Sequence, residues 1–211
     1  MTAEARAADI RRGVHIEVVT VIWMVIEAAV SLGAGIVAGS ILLTAFGLDS
    51  VIELISGSVL LWRLSIEAGS GDTERAERVE HVATWVVVVT LALLCVYVLV
   101  SSIYGLATHA KPESSPVGIA VSIAAVIVMP YLAFRKRTIA GRIDSEALEG
   151  DAAESITCAY MAGTVLVGLA LNALFGWWWA EDIAALVFLF WLGRETWEAF
   201  EEARKGGDER D

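Results

Sequence analysis

The chain has 211 residues, 57% of them hydrophobic, and a formal net charge of −11. With a mean hydropathy of +0.66, this composition excludes an ordinary soluble domain of the same length, and the acidic balance argues against a nucleic-acid partner, although the distribution of charge matters more than its sum. Apolar runs of roughly 18 residues or more read as membrane spans. Six such runs, at about 14–37, 41–64, 82–107, 117–134, 146–173 and 180–200, use up most of the sequence. The expected architecture is all-α: a polytopic membrane domain of six transmembrane helices over residues 1–205, then a disordered acidic tail over 206–211.

The N-terminus is polar and runs directly into a full-length span, a pattern unlike a cleavable signal peptide. Span one carries Glu17 and Glu27 and ends in Gly33-Ala34-Gly35, which predicts a tight outer turn. Span two carries Asp49 and Glu53 and ends at Trp62-Arg63, an interfacial anchor pair. Residues 67–81 are polar and predict a short cytoplasmic link or an extension of helix three. Span three is uncharged from Val82 to Thr108, and Lys111-Pro112-Glu113-Ser114-Ser115-Pro116 is an external break. Span four is uncharged, with Pro130 near its inner end. A kink there is tolerable when neighbouring helices support it. Span five opens with Asp144, Glu146, Glu149, Asp151 and Glu154 and becomes apolar after Cys158. Trp177-Trp178-Trp179 reads as an aromatic belt at the outer interface, and span six is apolar from Ile183 to Gly193 before turning amphipathic and acidic.

Basic residues gather on one side of this layout. Arg6, Arg11 and Arg12 precede span one, and Arg63, Arg75 and Arg78 lie between spans two and three. Arg135, Lys136, Arg137 and Arg142 lie between four and five, and Arg194, Arg204, Lys205 and Arg210 end or follow span six. Only Lys111 falls on the other side. Positive loops stay cytoplasmic, so both termini are expected inside, as an even number of spans requires. The expected location is a bacterial inner membrane. Cys95 and Cys158 sit in apolar surroundings on different spans, which argues against a structural disulfide; Cys95 reads as a packed core residue. His15, His81 and His109 lie near span boundaries and read as interfacial residues.

Two stretches resemble each other. Ser40 to Glu53 and Ser145 to Cys158 align without a gap, matching Ser40 with Ser145, Leu43 with Leu148 and Ser50 with Ser155. Asp49 then falls on Glu154 and Glu53 on Cys158, and each pair is spaced i, i+4, on one helix face. A carboxylate in hydrocarbon costs on the order of 3 kcal/mol, and two of them one turn apart repel, so a cation or protons must neutralise them. Asp49, Glu53, Glu154 and Cys158 are therefore the candidate ligands of a divalent cation. The bland alternative is acids lining a wet crevice or paired with an arginine, with Glu154 an ordinary polar helix start and Cys158 an ordinary packed cysteine. As a thiolate, Cys158 would be a soft ligand suited to zinc. Asp151 borders the same face, as a supporting acid, an acid on the ion's approach path, a proton relay, or a solvated first-turn residue. Glu27 either faces the site or bonds a neighbouring helix. No phosphate loop, nucleophile elbow or metalloprotease pattern is present in the sequence, so an enzyme is not expected.

These residues resemble a known family. Gly39 to Leu43 and Asp49-Ser50-Val51-Ile52-Glu53 are similar to helix two of the cation diffusion facilitators, Ser145 to Cys158 to their helix five, and Trp179-Ala180-Glu181-Asp182-Ile183-Ala184-Ala185-Leu186 to the start of their helix six. The resemblance implies a homodimeric exporter that exchanges a divalent cation for protons, with Asp49, Glu53, Glu154 and Cys158 at the metal-binding positions. It departs from the family at Glu53, where the pattern has aspartate, at Glu154, where zinc transporters have histidine, and at Cys158, which replaces aspartate. Zinc is the first expectation, and Fe²⁺, Mn²⁺, Co²⁺ and Cd²⁺ are compatible with the same set. No cytoplasmic C-terminal domain follows helix six in this sequence, so the expected dimer joins through membrane helices. A membrane metal-binding protein that does not transport, acting as buffer, sensor or partner subunit, is the alternative expectation.

Overall fold

A computed structural model describes residues 3–69, 73–143 and 145–208; for the helical residues 3–7, 67–69, 73–84, 146, 147, 202 and 205–208 it describes the backbone alone. Six helices follow one another: α1 (Ala3–Ala38), α2 (Ile41–Gly69), α3 (Thr73–Thr108), α4 (Pro116–Ile143), α5 (Glu146–Phe175) and α6 (Trp178–Asp208). The helices overrun the apolar spans, because a backbone leaving hydrocarbon can keep its own hydrogen bonds into water. Arg135, Lys136, Arg137 and Arg142 consequently lie on the last turns of α4 and not in a loop. Residues 73–81 likewise belong to α3. The helix α6 runs through Asp208, into the stretch expected as a tail; residues 209–211 and Asp144 lie outside the described residues.

The helices close into a ring. α1 packs on α2 and α4, α2 on α3, α3 on α6, α6 on α5, and α5 on α4. Across the middle, α2 also meets α5 and α6. The ring is inside-out relative to a soluble protein. Ile22, Val96, Val100, Ile127, Phe134 and Phe190 are exposed on its outer face, while Glu17, Thr20, Glu27, Asp49, Glu53, Ser122 and Lys136 are buried within. An apolar rim around a polar centre suits a hydrocarbon solvent.

Among the described residues, five helices are long and apolar enough to cross a membrane: Ala8–Ala38, Ile41–Ile66, Trp85–Thr108, Pro116–Ile143 and Leu148–Phe175. The sixth expected span differs. Its apolar stretch, Ile183 to Gly193, is bracketed by Glu181 and Asp182 at one end and by Arg194 and Glu195 at the other. Glu181, Asp182 and Glu195 are buried against the other helices, so these three acids face inward.

The turn between α1 and α2 is at Gly39 and Ser40, later than the sequence suggests. Gly39 takes a φ of 64°, a left-handed conformation that suits glycine. Ser40 Oγ then accepts from the Leu43 N–H at 3.2 Å and caps α2. Gly33 and Gly35 are helical, and Gly35 serves packing. A Cβ there would lie 2.7 Å from the Thr44 backbone nitrogen, and a Cβ on Gly47 would lie 2.7 Å from that of Leu32. The two backbones therefore touch at matched glycines, which fixes the face that α2 turns to the centre.

At the far end from the basic residues, polar groups tie the elements together. Ser40 Oγ donates to Glu181 Oε2 at 2.5 Å. Asn172 Nδ2 donates to Glu181 Oε1 at 2.7 Å and to the Pro112 carbonyl at 3.2 Å. The Glu113 N–H donates to the Ala38 carbonyl at 2.8 Å. His109 packs on Trp178 with ring centroids 4.8 Å apart, and Trp177 stacks on Trp179.

Because the atom facing Gly47 is backbone, Gly47→Val cannot be absorbed by a side-chain shift. We expect it to destabilise the protein by about 1–3 kcal/mol, the ordinary range for overpacking, read as a lower thermal unfolding midpoint in detergent. Gly33→Ala, where nothing lies within 4 Å of the added Cβ, should not lower the midpoint.

Candidate metal centre

Helical register decides which side chains reach the middle of the ring. On α1 the buried polar residues Glu17, Thr20, Glu27 and Ser31 join Met24 in one stripe with alternating spacings of three and four. On α2 the stripe is Leu42, Phe46, Asp49 and Glu53, with Ser50 beside it. On α5 it runs Leu148, Asp151, Ser155, Cys158, Ala162, and on α6 Ala185, Phe188, Leu192, Glu195. Four stripes thus converge, each carrying one or two groups able to bind a cation.

Two groups of ligand atoms form there. Glu27, Glu53 and Cys158 each offer an atom within 4.8 Å of the others, and so do Asp49, Glu53 and Glu195. Glu53 belongs to both. Glu27 is held by the protein: Trp23 Nε1 donates to its Oε2 at 2.7 Å, Ser50 Oγ to its Oε1 at 2.9 Å, and the Cys158 thiol to the same Oε1 at 3.6 Å. Asp49 and Glu53 differ. All four of their carboxylate oxygens, and Oε2 of Glu195, are buried without a hydrogen-bond partner among the described residues. A buried carboxylate in that state is costly unless something else supplies the positive charge.

The expected ligands are therefore distributed unevenly. Asp49, Glu53 and Cys158 are all buried at the centre, and Glu27, expected either to face the site or to bond a neighbouring helix, places an oxygen within reach of Glu53 and Cys158. Glu154 is half-buried on the flank of α5 and stands in neither group, although its charge acts on Asp49 and Glu53. Asp151 faces a different neighbour. It forms an ion pair with Lys136, whose Nζ makes a second ion pair with Glu17 Oε2 at 3.2 Å and donates to Ser155 Oγ at 3.4 Å. Lys136 is fully buried in α4, where the sequence had suggested a cytoplasmic charge. Asp151 is seven residues from Cys158, about 10 Å along the helix at 1.5 Å per residue, so this ion trio sits nearer the basic end than the centre.

Sequence reasoning missed Glu195 and the pairing of Lys136 with Glu17. The signal for Glu195 was present: it continues the buried Ala185, Phe188, Leu192 register of α6. Nothing in the sequence marks Lys136 apart from Arg135 and Arg137, since only the crossing of α1, α4 and α5 gives it two carboxylates. His15 and His109 are exposed and far from the centre in register; the side chain of His81 lies outside those described. Cys95 is half-buried, with Sγ 3.5 Å from Thr196 Oγ1.

A ring of membrane helices around buried, unpartnered carboxylates and a thiol defines a helical membrane protein whose interior has the donor chemistry of a divalent-cation site. The profile of the cation efflux transmembrane domain family matches residues 18–205, and the chain belongs to that family. Over 175 residues it is 27% identical to an uncharacterized transporter of Synechocystis, covering 78% of this chain and 56% of that protein. Over 86 residues it is 23% identical to the cation-efflux pump FieF of Shewanella oneidensis, covering 41% of this chain and 29% of the pump. The match thus spans little more than half the length of the first relative and less than a third of the second.

The Lys136 trio has a consequence for stability. Lys136→Met would leave Glu17 and Asp151 buried without a counter-charge, a loss of about 3–5 kcal/mol for breaking a buried pair. The triple variant with Glu17→Gln and Asp151→Asn removes the stranded charges, and unfolding in detergent should return most of the lost stability.

Proposed function

We propose that this protein is a proton-coupled transporter that exports a divalent metal cation, zinc first, by alternating access around the centre on α2 and α5. The observation that carries the reading is the set of unpartnered Asp49 and Glu53 oxygens deep between the helices, with Glu53 within reach of Glu27 and the Cys158 thiol. Asp49, Glu53 and Cys158 are the proposed ligands, with Glu27 joining them. Glu154 enters by a rotation of its flanking side chain or a small turn of α5. The family supports transport over catalysis, and the FieF relative, named as a cation-efflux pump, supports a metal ion as cargo.

The mechanism rests on competition. Carboxylates and a thiol bind metal only when deprotonated, so every bound cation displaces protons, and protons displace the cation. With the centre open to the cytoplasm, metal enters and protons leave. With it open outward, protons return and metal is released. Glu27 is held beside the ligands by the bonds its oxygens accept from Trp23 Nε1 and Ser50 Oγ, and it takes part in the same exchange of protons for metal. The ion trio of Lys136, Glu17 and Asp151 lies between the centre and the basic end and would part when the inner side opens. The same reading includes six spans, with α6 crossing the membrane and its acids turned inward, both termini cytoplasmic, and a homodimer joined through membrane helices. Residues Arg11, Arg12 and Arg135, which line one small cleft where α1 and α4 meet, support the basic end as the cytoplasmic one.

The test is uptake of Zn²⁺ into inverted vesicles holding the purified chain, with a proton gradient imposed. Asp49→Asn and Glu53→Gln should each lower the rate at least about tenfold, since even residues that only support ligands cost that much. Apparent zinc affinity should fall as pH falls, because protonation removes the ligands. Vesicles that take up no more metal than empty ones, from a protein that binds zinc tightly, would instead assign the chain to the non-transporting metal binders.

A further inference from the structure

The two ligand groups differ in chemistry as well as in position. Glu27, Glu53 and Cys158 are a mixed oxygen and sulfur set, while Asp49, Glu53 and Glu195 are oxygen alone. Glu195 comes from α6, outside the matched pairs of α2 and α5, and its side chain is buried with Oε2 unpartnered. We propose that the centre holds two cations at once, the second in an all-carboxylate position built by Asp49, Glu53 and Glu195, with Glu53 bridging the two. This rests on the centre being a metal site, as proposed above, and adds to it a ligand from α6 and a second occupant of harder preference.

Three observations carry it. The first is geometric. An ion holding two oxygens at about 2.1 Å separates them by at most about 4.2 Å, so donor atoms within 4.8 Å of one another close on an ion with shifts of well under 1 Å per side chain. The second is the unpartnered state of Asp49, Glu53 and Glu195: their buried oxygens are aimed into this group, and Lys136, the one basic side chain among the described buried residues, is already engaged by Glu17 and Asp151. The third is charge. Glu27, Asp49, Glu53 and Glu195 with the Cys158 thiolate carry five negative charges when ionised, and a single divalent ion leaves three of them for protons to neutralise. Two ions leave one. Glu53 is the only residue common to both groups, and its two oxygens allow one bond to each ion, the bridging arrangement familiar from two-metal sites.

The two positions have separable preferences. Thiolate favours the softer Zn²⁺, Cd²⁺ or Co²⁺, and carboxylate alone suits Mn²⁺. The experiment is equilibrium dialysis of the purified full chain in detergent with Co²⁺, with Mn²⁺ and with both, alongside the thiolate-to-cobalt absorption band. Wild-type protein is expected to hold one Co²⁺ with the band and one Mn²⁺ together. Glu195→Gln should weaken Mn²⁺ binding at least about tenfold, the loss that removal of even a supporting group brings, and leave the cobalt band, which also reports that the variant is folded. Cys158→Ser should abolish the band and keep Mn²⁺. Wild-type protein that holds a single ion, with Co²⁺ and Mn²⁺ replacing each other one for one, overturns the inference without needing any variant to fold. Unchanged Mn²⁺ affinity in Glu195→Gln overturns it as well. Both of those results, if Cys158 still binds cobalt and zinc uptake persists, leave the proposed function standing; a chain that binds neither ion overturns both readings.

Discussion

The structure depends on how carboxylates are kept inside a membrane domain. Each costs on the order of 3 kcal/mol at the middle of a bilayer, and this ring buries several. They divide into two kinds. Glu17 and Asp151 share the Lys136 ammonium, a fixed counter-charge that offsets one of their two charges. Asp49, Glu53 and Glu195 have no such partner among the described residues, and Glu27 has only neutral donors in Trp23, Ser50 and Cys158. Acids of the first kind have a counter-charge fixed in the fold. Acids of the second kind have no fixed counter-charge among the described residues, and on the proposed function a metal ion or protons supply it.

The packing supports this division. Gly35 and Gly47 let the backbones of α1 and α2 touch, which brings Glu27 and Ser50 within 2.9 Å and sets Asp49 and Glu53 toward α5 and α6. The Ser40, Glu181 and Asn172 bonds hold the beginnings of α2 and α6 to the end of α5 at the end of the ring away from the basic residues. The Lys136 trio joins α1, α4 and α5 toward the other end. The centre therefore lies between two polar fastenings, each made of a few bonds. Opening one while the other stays closed is a physically simple way to expose the centre to one side at a time.

Cysteine at position 158 changes the character of the centre. A thiol is smaller in charge density than a carboxylate and bonds weakly to Glu27 at 3.6 Å while protonated. A centre with one sulfur and several oxygens is thus selective through its protonation state as much as through its geometry.

The composition and the apolar runs alone determined that this chain is a bundle of membrane helices, because a helix crossing hydrocarbon must satisfy its backbone within about 20 residues of apolar sequence. The i, i+4 spacing likewise put Asp49 and Glu53 on one face, since that follows from helical geometry without reference to any neighbour. Which faces meet was decided only by the tertiary structure. The same spacing that links Glu154 to Cys158 leaves Glu154 on the flank, and it took the glycine contacts of α1 with α2 to bring Glu27 inward. Lys136 reads as one more positive residue among its neighbours until α1 and α5 cross it, and Glu195 as one more acid of a polar helix end until α6 turns it toward Asp49. Spacing along a chain fixes direction within a helix, but the rotation of one helix against another is set by side-chain packing between residues far apart in sequence, and no single helix carries that information.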